Sequence, residues 1–469
     1  MKFRLTIITL LLLTGCVRFH PRPISPVETA AGLESRTLND PKFREFLEKS
    51  LGHRLEDWPL KSWDFETLNL AALYYQPSLD VARAQWKVAQ GGEVTAGERP
   101  NPTVSVVPGY DFNSTGLSPW LPAITFDVPL ETAGKRGFRQ AQARHLSASA
   151  RFDIATAAWL VRSNLRTALI DLTAARQREG LLQNQLAIQR KIVHGLEQQL
   201  QSGAASSSDL MLVQIALDRI QLDLADAQLQ RADARVRVAD SIGMPVKALD
   251  GIELVYELST PPGIAAELTS AQVREQALTN RADVLSALAD YAASQSALQL
   301  EIARQFPDVH LGPGYQFDHG EHTFTLSLTA DLPLLNQNQG PIAEAEARRG
   351  EMAARFTALQ AKVITEIDRA VAAYRVTRQN LSILEQLSAA QRKQAEVVKS
   401  QFEAGAVSQL DLMNSQIELG ASELVQLDVR VKLQQSFAAL EDAVQRPIAA
   451  MKLPLIEHER VQAMKENKP

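Results

Sequence analysis

The chain is written twice, and the spacing of its two copies constrains the fold more than any other feature. Ser202-Gly-Ala-Ala-Ser-Ser-Ser-Asp-Leu-Met211 returns 202 positions later as Ala404-Gly-Ala-Val-Ser-Gln-Leu-Asp-Leu-Met413. Gly203, Ser206, Asp209, Leu210 and Met211 recur as Gly405, Ser408, Asp411, Leu412 and Met413. Each stretch divides a long helical pattern from a shorter one. A glycine suits the left-handed residue that ends a helix, and Ser-x-x-Asp fits a variant capping box for the next. The two stretches are therefore expected to be tight turns between long antiparallel helices.

A second duplicated element is a pair of alternating segments. Val104, Val106, Pro108, Tyr110 and Phe112 interleave with Thr103, Ser105, Val107, Gly109 and Asp111. After a loop, Ile124, Phe126, Val128 and Leu130 interleave with Thr125, Asp127, Pro129 and Glu131. The unit recurs 205 positions on, with Val309, Leu311, Pro313, Tyr315 and Phe317, then Phe324, Leu326, Leu328, Ala330 and Leu332, on the apolar parity. Period-2 alternation predicts strands with one apolar and one polar face. About ten residues is also the length of a membrane-crossing β-strand. The polar parity supplies the expected pore-lining set: Thr103, Ser105, Asp111, Thr125, Asp127, His310, Gln316, Thr325 and Ser327.

Four membrane strands cannot stand alone. Backbone groups in lipid must be satisfied without water, so a sheet there must close, and barrels need at least about eight strands. Several chains must pool their hairpins. Two would give eight strands and three would give twelve, and the helices favour more than two.

Those helices carry a coiled-coil seam. Val161, Leu165, Ala168, Leu172, Ala175, Glu179, Leu182, Leu186, Gln189, Val193, Leu196 and Leu200 step by four and three. Adding 202 gives Val363, Ile367, Ala370, Tyr374, Thr377, Leu381, Leu384, Ser388, Gln391, Ala395, Val398 and Phe402. Each long helix is expected to run roughly 90–100 Å at 1.5 Å per residue. The resulting map has a signal peptide at 1–15, an extended arm with short helical pieces at 16–64, repeat one at 65–267, repeat two at 268–446 and a mobile tail at 447–469. Repeat one holds a helix, hairpin 103–131, long helix 135–202, turn 203–208, helix 209–242 and connector 243–267. Repeat two holds a helix, hairpin 308–333, long helix 341–404, turn 405–410 and helix 411–446. The composition agrees: 45 % hydrophobic residues exclude disorder, and a net charge of −5 argues against a nucleic-acid binder.

The N-terminus reads as an export signal. Lys2 and Arg4 precede the apolar run Leu5–Leu13, which is too short to span a bilayer as a helix. Leu13-Thr14-Gly15-Cys16 resembles a lipobox, which makes Cys16, the only cysteine, the lipidated residue.

Taken with the duplicated hairpins and turns, residues 17–450 resemble the TolC family of outer-membrane factors. The resemblance implies a mainly α fold with a small β part: a duplicated long-helix α-barrel plus four membrane strands per chain, closing as a trimeric 12-stranded β-barrel. It implies an exit duct of tripartite efflux systems or, alternatively, of type I secretion. Its partners would be two further copies, a periplasmic membrane-fusion adaptor, an inner-membrane pump of the RND type, and outer-membrane lipid. Pro129-Leu-Glu-Thr-Ala-Gly-Lys-Arg136 and Leu332-Pro-Leu-Leu-Asn-Gln-Asn-Gln-Gly340 look like junctions of the CzcC-like branch, which implies heavy-metal efflux. Cargo would then be metal ions or small toxic compounds. The chain would sit lipid-anchored in the outer membrane, with a periplasmic helical domain whose tips, Gly203, Ser206, Asp209, Gly405, Ser408 and Asp411, meet the adaptor.

Other residues carry blander expectations. Asp318, His319, Glu321 and His322 form a loop whose histidines are weak metal candidates, expected to be solvated polarity outside the cell. Lys135, Arg136 and Arg139 read as helix-surface charge beside the membrane, or as a contact to anionic lipid. Trp120 reads as an interfacial anchor. No Gly-x-Ser-x-Gly, phosphate loop or His-Glu-x-x-His occurs, so no enzyme and no cofactor are expected. Two rival classes remain: a coiled-coil adaptor lipoprotein, and a metal-binding lipoprotein using His319 and His322.

Overall fold

The computed structural model describes residues 18–113, 116, 118–259, 261 and 270–448. Cys16, the signal peptide and all but the first two residues of the tail lie outside them. The elements in order are α1 (Pro26–Glu34), α2 (Pro41–Leu51), β1 (Ser62–Trp63), α3 (Phe65–Tyr75), α4 (Pro77–Gly97), β2 (Thr103–Val107), β3 (Ala123–Leu130), α5 (Lys135–Gln201) and α6 (Ser207–Ile242). They continue with β4 (Glu253–Leu254), α7 (Ser270–Asn280), α8 (Ala282–Ala303), β5 (Val309–Asp318), β6 (Glu321–Ala330), α9 (Gln339–Glu403) and α10 (Gln409–Val444).

The long helices follow their seams. On α5, eleven of the twelve predicted positions are buried, Leu200 near the turn being the exception. On α9, Val363, Ile367, Ala370, Tyr374, Leu381 and Ser388 are buried, and the positions nearer the turn are only half covered or exposed. The difference is one of neighbours. α5 packs against α4, α6, α8 and α10, whereas the turn-ward half of α9 has α10 alone. Towards the sheet the helical order is α4-α5-α8-α9, and towards the turns it is α9-α10-α5-α6.

Each helix expected before a hairpin is broken in two at matching positions. Gln76 is extended (ψ 117) because Pro77 follows it. Arg281, 205 positions later, is extended too (ψ 135), and its guanidinium binds Asp283, Glu366 and the Ala443 carbonyl.

The N-terminal arm is not merely extended. Phe43 and Leu47 of α2 pack with Leu38, Trp63, Tyr74 and Tyr75 into the main core, against Val161, Leu165 and Leu169 of α5 and Val238 and Ile242 of α6. Six aromatic rings within 4.7–6.4 Å of one another remove enough apolar surface to hold this arm on the helices. β1 and β4 pair in parallel and tie the arm to the connector.

Four strands form one antiparallel sheet in the order β2-β3-β5-β6. β2 is half the length expected. Its pairing resumes at Gly109–Leu121, and Pro108 faces Pro122 across the gap, where neither residue has an N–H to give.

Candidate functional site

The tip turns are built alike. Gly203 and Gly405 take φ +73° and +74°, the left-handed conformation that costs glycine nothing. The following N–H of Ala204 bonds the Gln199 carbonyl, and that of Ala406 bonds Gln401, both at 2.8 Å. Each next helix opens with a reciprocal box. The Ser206 hydroxyl accepts from the Asp209 N–H (3.2 Å), and the Asp209 carboxylate accepts from the Ser206 N–H (3.2 Å) and hydroxyl (2.7 Å). Ser408 and Asp411 repeat this at 3.2, 2.9 and 2.6 Å. The serine hydroxyl, then the serine N–H, hold both aspartates below the usual carboxylate range.

The tips differ in their surroundings. Met413 and Leu410 pack on Ile192 and Leu196 at the end of α5. Met211, the counterpart of Met413, is exposed, as is Leu212. Both tips pack on the end of α5, the first through Ala205, Leu210 and Val213, but only at the first does the methionine position face outward.

The sheet divides its faces as the alternation predicts. Val104 pairs with Phe126, Val106 with Ile124, Ile124 with Tyr315, Leu311 with Leu328, and Tyr315 with Phe324. On the other face Thr103 pairs with Asp127, Ser105 with Thr125, Gly312 with Ser327, Gly314 with Thr325, and Gln316 with Thr323. Thus Thr103, Ser105, Thr125, Asp127, His310, Gln316, Thr325 and Ser327 share one face. Asp111 lies beyond β2, where it bonds the Asn113 N–H and His319 Nε2. Apolar side chains with no cover, Phe324, Leu326 and Leu328 among them, stud the first face.

His319 joins the two outer turns. It bonds Asp318 as well as Asp111, and these two carboxylates hold its imidazole above the usual range. His322 bonds the Tyr315 hydroxyl at 2.8 Å instead. Among the described residues no group of three or more His, Cys, Asp or Glu is arranged to hold a metal ion. Trp120 is half exposed and meets Tyr110 edge to face.

Lys135, Arg136 and Arg139 are not loose surface charge. Lys135 is 7 % exposed and donates to Asp308 and the Phe306 carbonyl, both at 2.7 Å. Arg136 and Arg139 donate to the Gly97, Ala96 and Glu98 carbonyls, the acceptors left over where α4 ends, and Arg139 also grips Glu131. The three cations weld the starts of α5 and β5 to the end of α4.

The sequence reading missed a buried charge cluster. Arg162 and Arg166 on α5 both donate to one oxygen of Glu441 on α10, while its other oxygen accepts the Ile448 N–H at 2.7 Å. Arg162 and Glu441 are 2 % and 1 % exposed. Arg162 also lies over the Trp159 and Phe65 rings, at 4.7 and 5.1 Å. Beside it Ser163 donates to Asp442, whose carboxyl burial pushes above the usual range. The available signal was a pair of arginines one residue past Val161 and Leu165 of the seam.

The molecule is of the class that combines a duplicated helical layer with a short membrane-type sheet. Among the described residues no helix is long and apolar enough to cross a membrane. Solved structures share the arrangement. CusC aligns with TM-score 0.65 at 18 % identity over 84 % of this chain and 95 % of that one. VceC of Vibrio cholerae gives 0.66 at 18 % over 81 % and 95 %, and CmeC of Campylobacter jejuni 0.67 at 13 % over 95 % and 98 %. At these identities the likeness establishes the fold. No curated protein matches the chain. The family model for outer membrane efflux proteins matches residues 70–244 and 273–444. The chain belongs to that family of outer-membrane efflux channels.

Proposed function

We propose that three copies of this chain close into a 12-stranded barrel above a helical tunnel and serve as the passive exit duct of a tripartite efflux system. The observation that carries this reading is a set of unpartnered, mutually suited edges. Among the described residues β2 and β6 each pair on one side only. Below them, the outer helices of the layer expose apolar stripes at heptad spacing. These are Ile215, Leu222, Leu229 and Val236 on α6, and Val376, Ile383 and Val397 on α9. A solitary chain would leave these stripes in water and the strand edges open to any pairing partner. Joining α6 to α9, and β2 to β6, of the next copy covers all four edges, and three copies give twelve strands.

The tips then form a ring of six turns of two kinds, with six carboxylates from Asp209 and Asp411. They are the surface offered to a periplasmic adaptor, which an inner-membrane pump would energise. Cys16 supplies the lipid anchor. The cargo in this reading is metal ions or small toxic compounds. Cross-linked mass of the purified protein together with planar-bilayer conductance tests the proposal. Trimers with channel activity are expected, and a monomer that carries no current would overturn it.

A further inference from the structure

The repeat symmetry of the sheet holds to the residue. In the first hairpin Val104 pairs with Phe126 and Val106 with Ile124. In the second, Val309 pairs with Ala330 and Leu311 with Leu328. The counterpart of each β2 residue is therefore the β5 residue 205 positions on, and that of each β3 residue is the β6 residue 204 positions on. The sequence agrees, since Asp127-Val-Pro-Leu130 returns as Asp331-Leu-Pro-Leu334.

Within one chain the two hairpins meet at a single junction. There β3 lies beside β5, with Ile124 opposite Tyr315, Val128 opposite Leu311 and Leu130 opposite Val309. The matching junction would set β6 against a β2, and among the described residues both of those edges are open. β6 ends at Ala330 because β5, its neighbour, begins at Val309. Beyond that end the apolar parity continues. Leu332 and Leu334, the counterparts of the paired Val128 and Leu130, stand 72 % and 77 % exposed. In the single chain Leu334 donates its N–H back to the Leu332 carbonyl at 2.8 Å. Val104 and Val106 on the opposite edge are exposed as well.

We propose that β6 of one copy pairs with β2 of the next in the register of the β3–β5 junction: Leu328 opposite Tyr110, Leu332 opposite Val106, and Leu334 opposite Val104. β6 then extends through Leu334, as β3 extends through Leu130. The inference rests on the trimeric duct. Across this junction apolar side chains meet apolar ones on one face, while Ser105 meets Pro333 and Gly109 meets Thr329 on the other. A shift by one residue would turn the polar set of one strand onto the apolar face. A shift by two would keep the faces, but it would give the barrel two kinds of junction between hairpins. With one stagger at all six junctions the strands tilt evenly, which closure of a barrel favours. The six hairpins are thereby equivalent, although the helices that carry them are not.

Residues directly opposite in an antiparallel pair have Cα atoms about 4.5–5.5 Å apart, within reach of a disulfide, whereas a neighbour two positions off lies about 7–8 Å away. Cysteine pairs in the full-length protein, oxidised in the outer membrane, therefore read the register. Val106→Cys with Leu332→Cys, and Tyr110→Cys with Leu328→Cys, should each shift the chain on non-reducing gels from monomer to covalent dimer and trimer, and a reducing agent should reverse the shift. Val106→Cys with Ala330→Cys or with Leu334→Cys should stay monomeric, as should each single variant, which controls for links through Cys16. Val128→Cys with Leu311→Cys, the in-chain counterpart of the first pair, should close within the monomer and so report that the sheet has formed. Links through Ala330 or Leu334 in place of Leu332 overturn the register. A wild type that conducts as a trimer, with the in-chain pair closed and no inter-chain pair linked, overturns this inference alone. A wild type that is monomeric and passes no current overturns the duct reading as well.

Discussion

Replacing Glu441 by glutamine should be the most damaging single isosteric change in the helical domain. The substitution keeps the shape and the acceptor for the Ile448 N–H, but removes the one charge that faces both Arg162 and Arg166. Those guanidiniums are 2 % and 8 % exposed, and Arg162 Nε and Nη1 and Arg166 Nε have no hydrogen-bond partner even in the intact cluster. Asp442, bonded to Ser163, is a second carboxylate close to Arg162. Breaking a buried ion pair from one side costs about 3–5 kcal/mol, because the stranded charge stays desolvated. At 1.4 kcal/mol per factor of ten, amides of α5 near 160–168 and α10 near 436–444 should exchange with solvent about 100- to 4,000-fold faster. Native-state hydrogen exchange by mass spectrometry reads this directly. A triple replacement, Arg162→Met, Arg166→Leu and Glu441→Leu, should return protection to within about 1 kcal/mol of wild type, since an apolar cluster of similar volume avoids the desolvation altogether. Unchanged exchange in Glu441→Gln would refute the account, and so would a triple variant as labile as the single one.

Gly243→Ala should lower stability by more than about 2 kcal/mol. Its φ is +81°, and a Cβ there would stand 2.8 Å from the Tyr75 carbonyl and 2.9 Å from Gln76 Cα, both backbone atoms. Gly180→Ala, in mid-helix with nothing within 4 Å of the new carbon, should instead be neutral or stabilise by up to about 1 kcal/mol, and thermal melts followed by circular dichroism compare the two. The tips should loosen in acid. Asp209 and Asp411 have folded-state pKa values below their unfolded ones, so their contribution is fully present above the usual carboxylate range and is lost as pH falls through the lowered values. Proteolysis at the tips should therefore rise between pH 5 and pH 2 in the wild type, and that rise should be reduced in a Ser206→Ala, Ser408→Ala double variant, whose boxes are already broken.

What the sequence discloses depends on how locally each feature is determined. The α5 seam was legible because a side chain's turn position decides its burial when helices flank it on both sides. The same spacing on α9 only half succeeds, because its lower partner is absent from a single chain. The capping boxes were legible because both partners lie within four residues. By contrast, the Arg162–Arg166–Glu441 cluster joins residues 279 and 275 positions apart, and the grip of Lys135 on Asp308 spans 173. Charge near a helix start reads as surface until the fold brings leftover carbonyls to it. The arm's short helical pieces were legible, the one over Pro41–Leu51 among them, but their packing was not, because it depends on Trp63, Tyr74 and Tyr75 further along.

The duplication itself makes the two repeats inequivalent. Within the chain, α5 meets α10 of the other repeat, and β3 meets β5, so repeat one has both of its inner neighbours supplied. The matching surfaces of α9, α6, β6 and β2 have none. Two of the buried charge groups lie on the first kind of junction. The Arg162–Glu441 cluster and the Lys135–Asp308 weld both sit on the inner, covalently enforced junction between repeats, where desolvating charge can be offset by a fixed partner. The outer edges carry apolar heptads and open strand edges instead, which suit a surface that must form between separate molecules. One junction is fixed in register by charge, and the other presents apolar stripes and open strand edges.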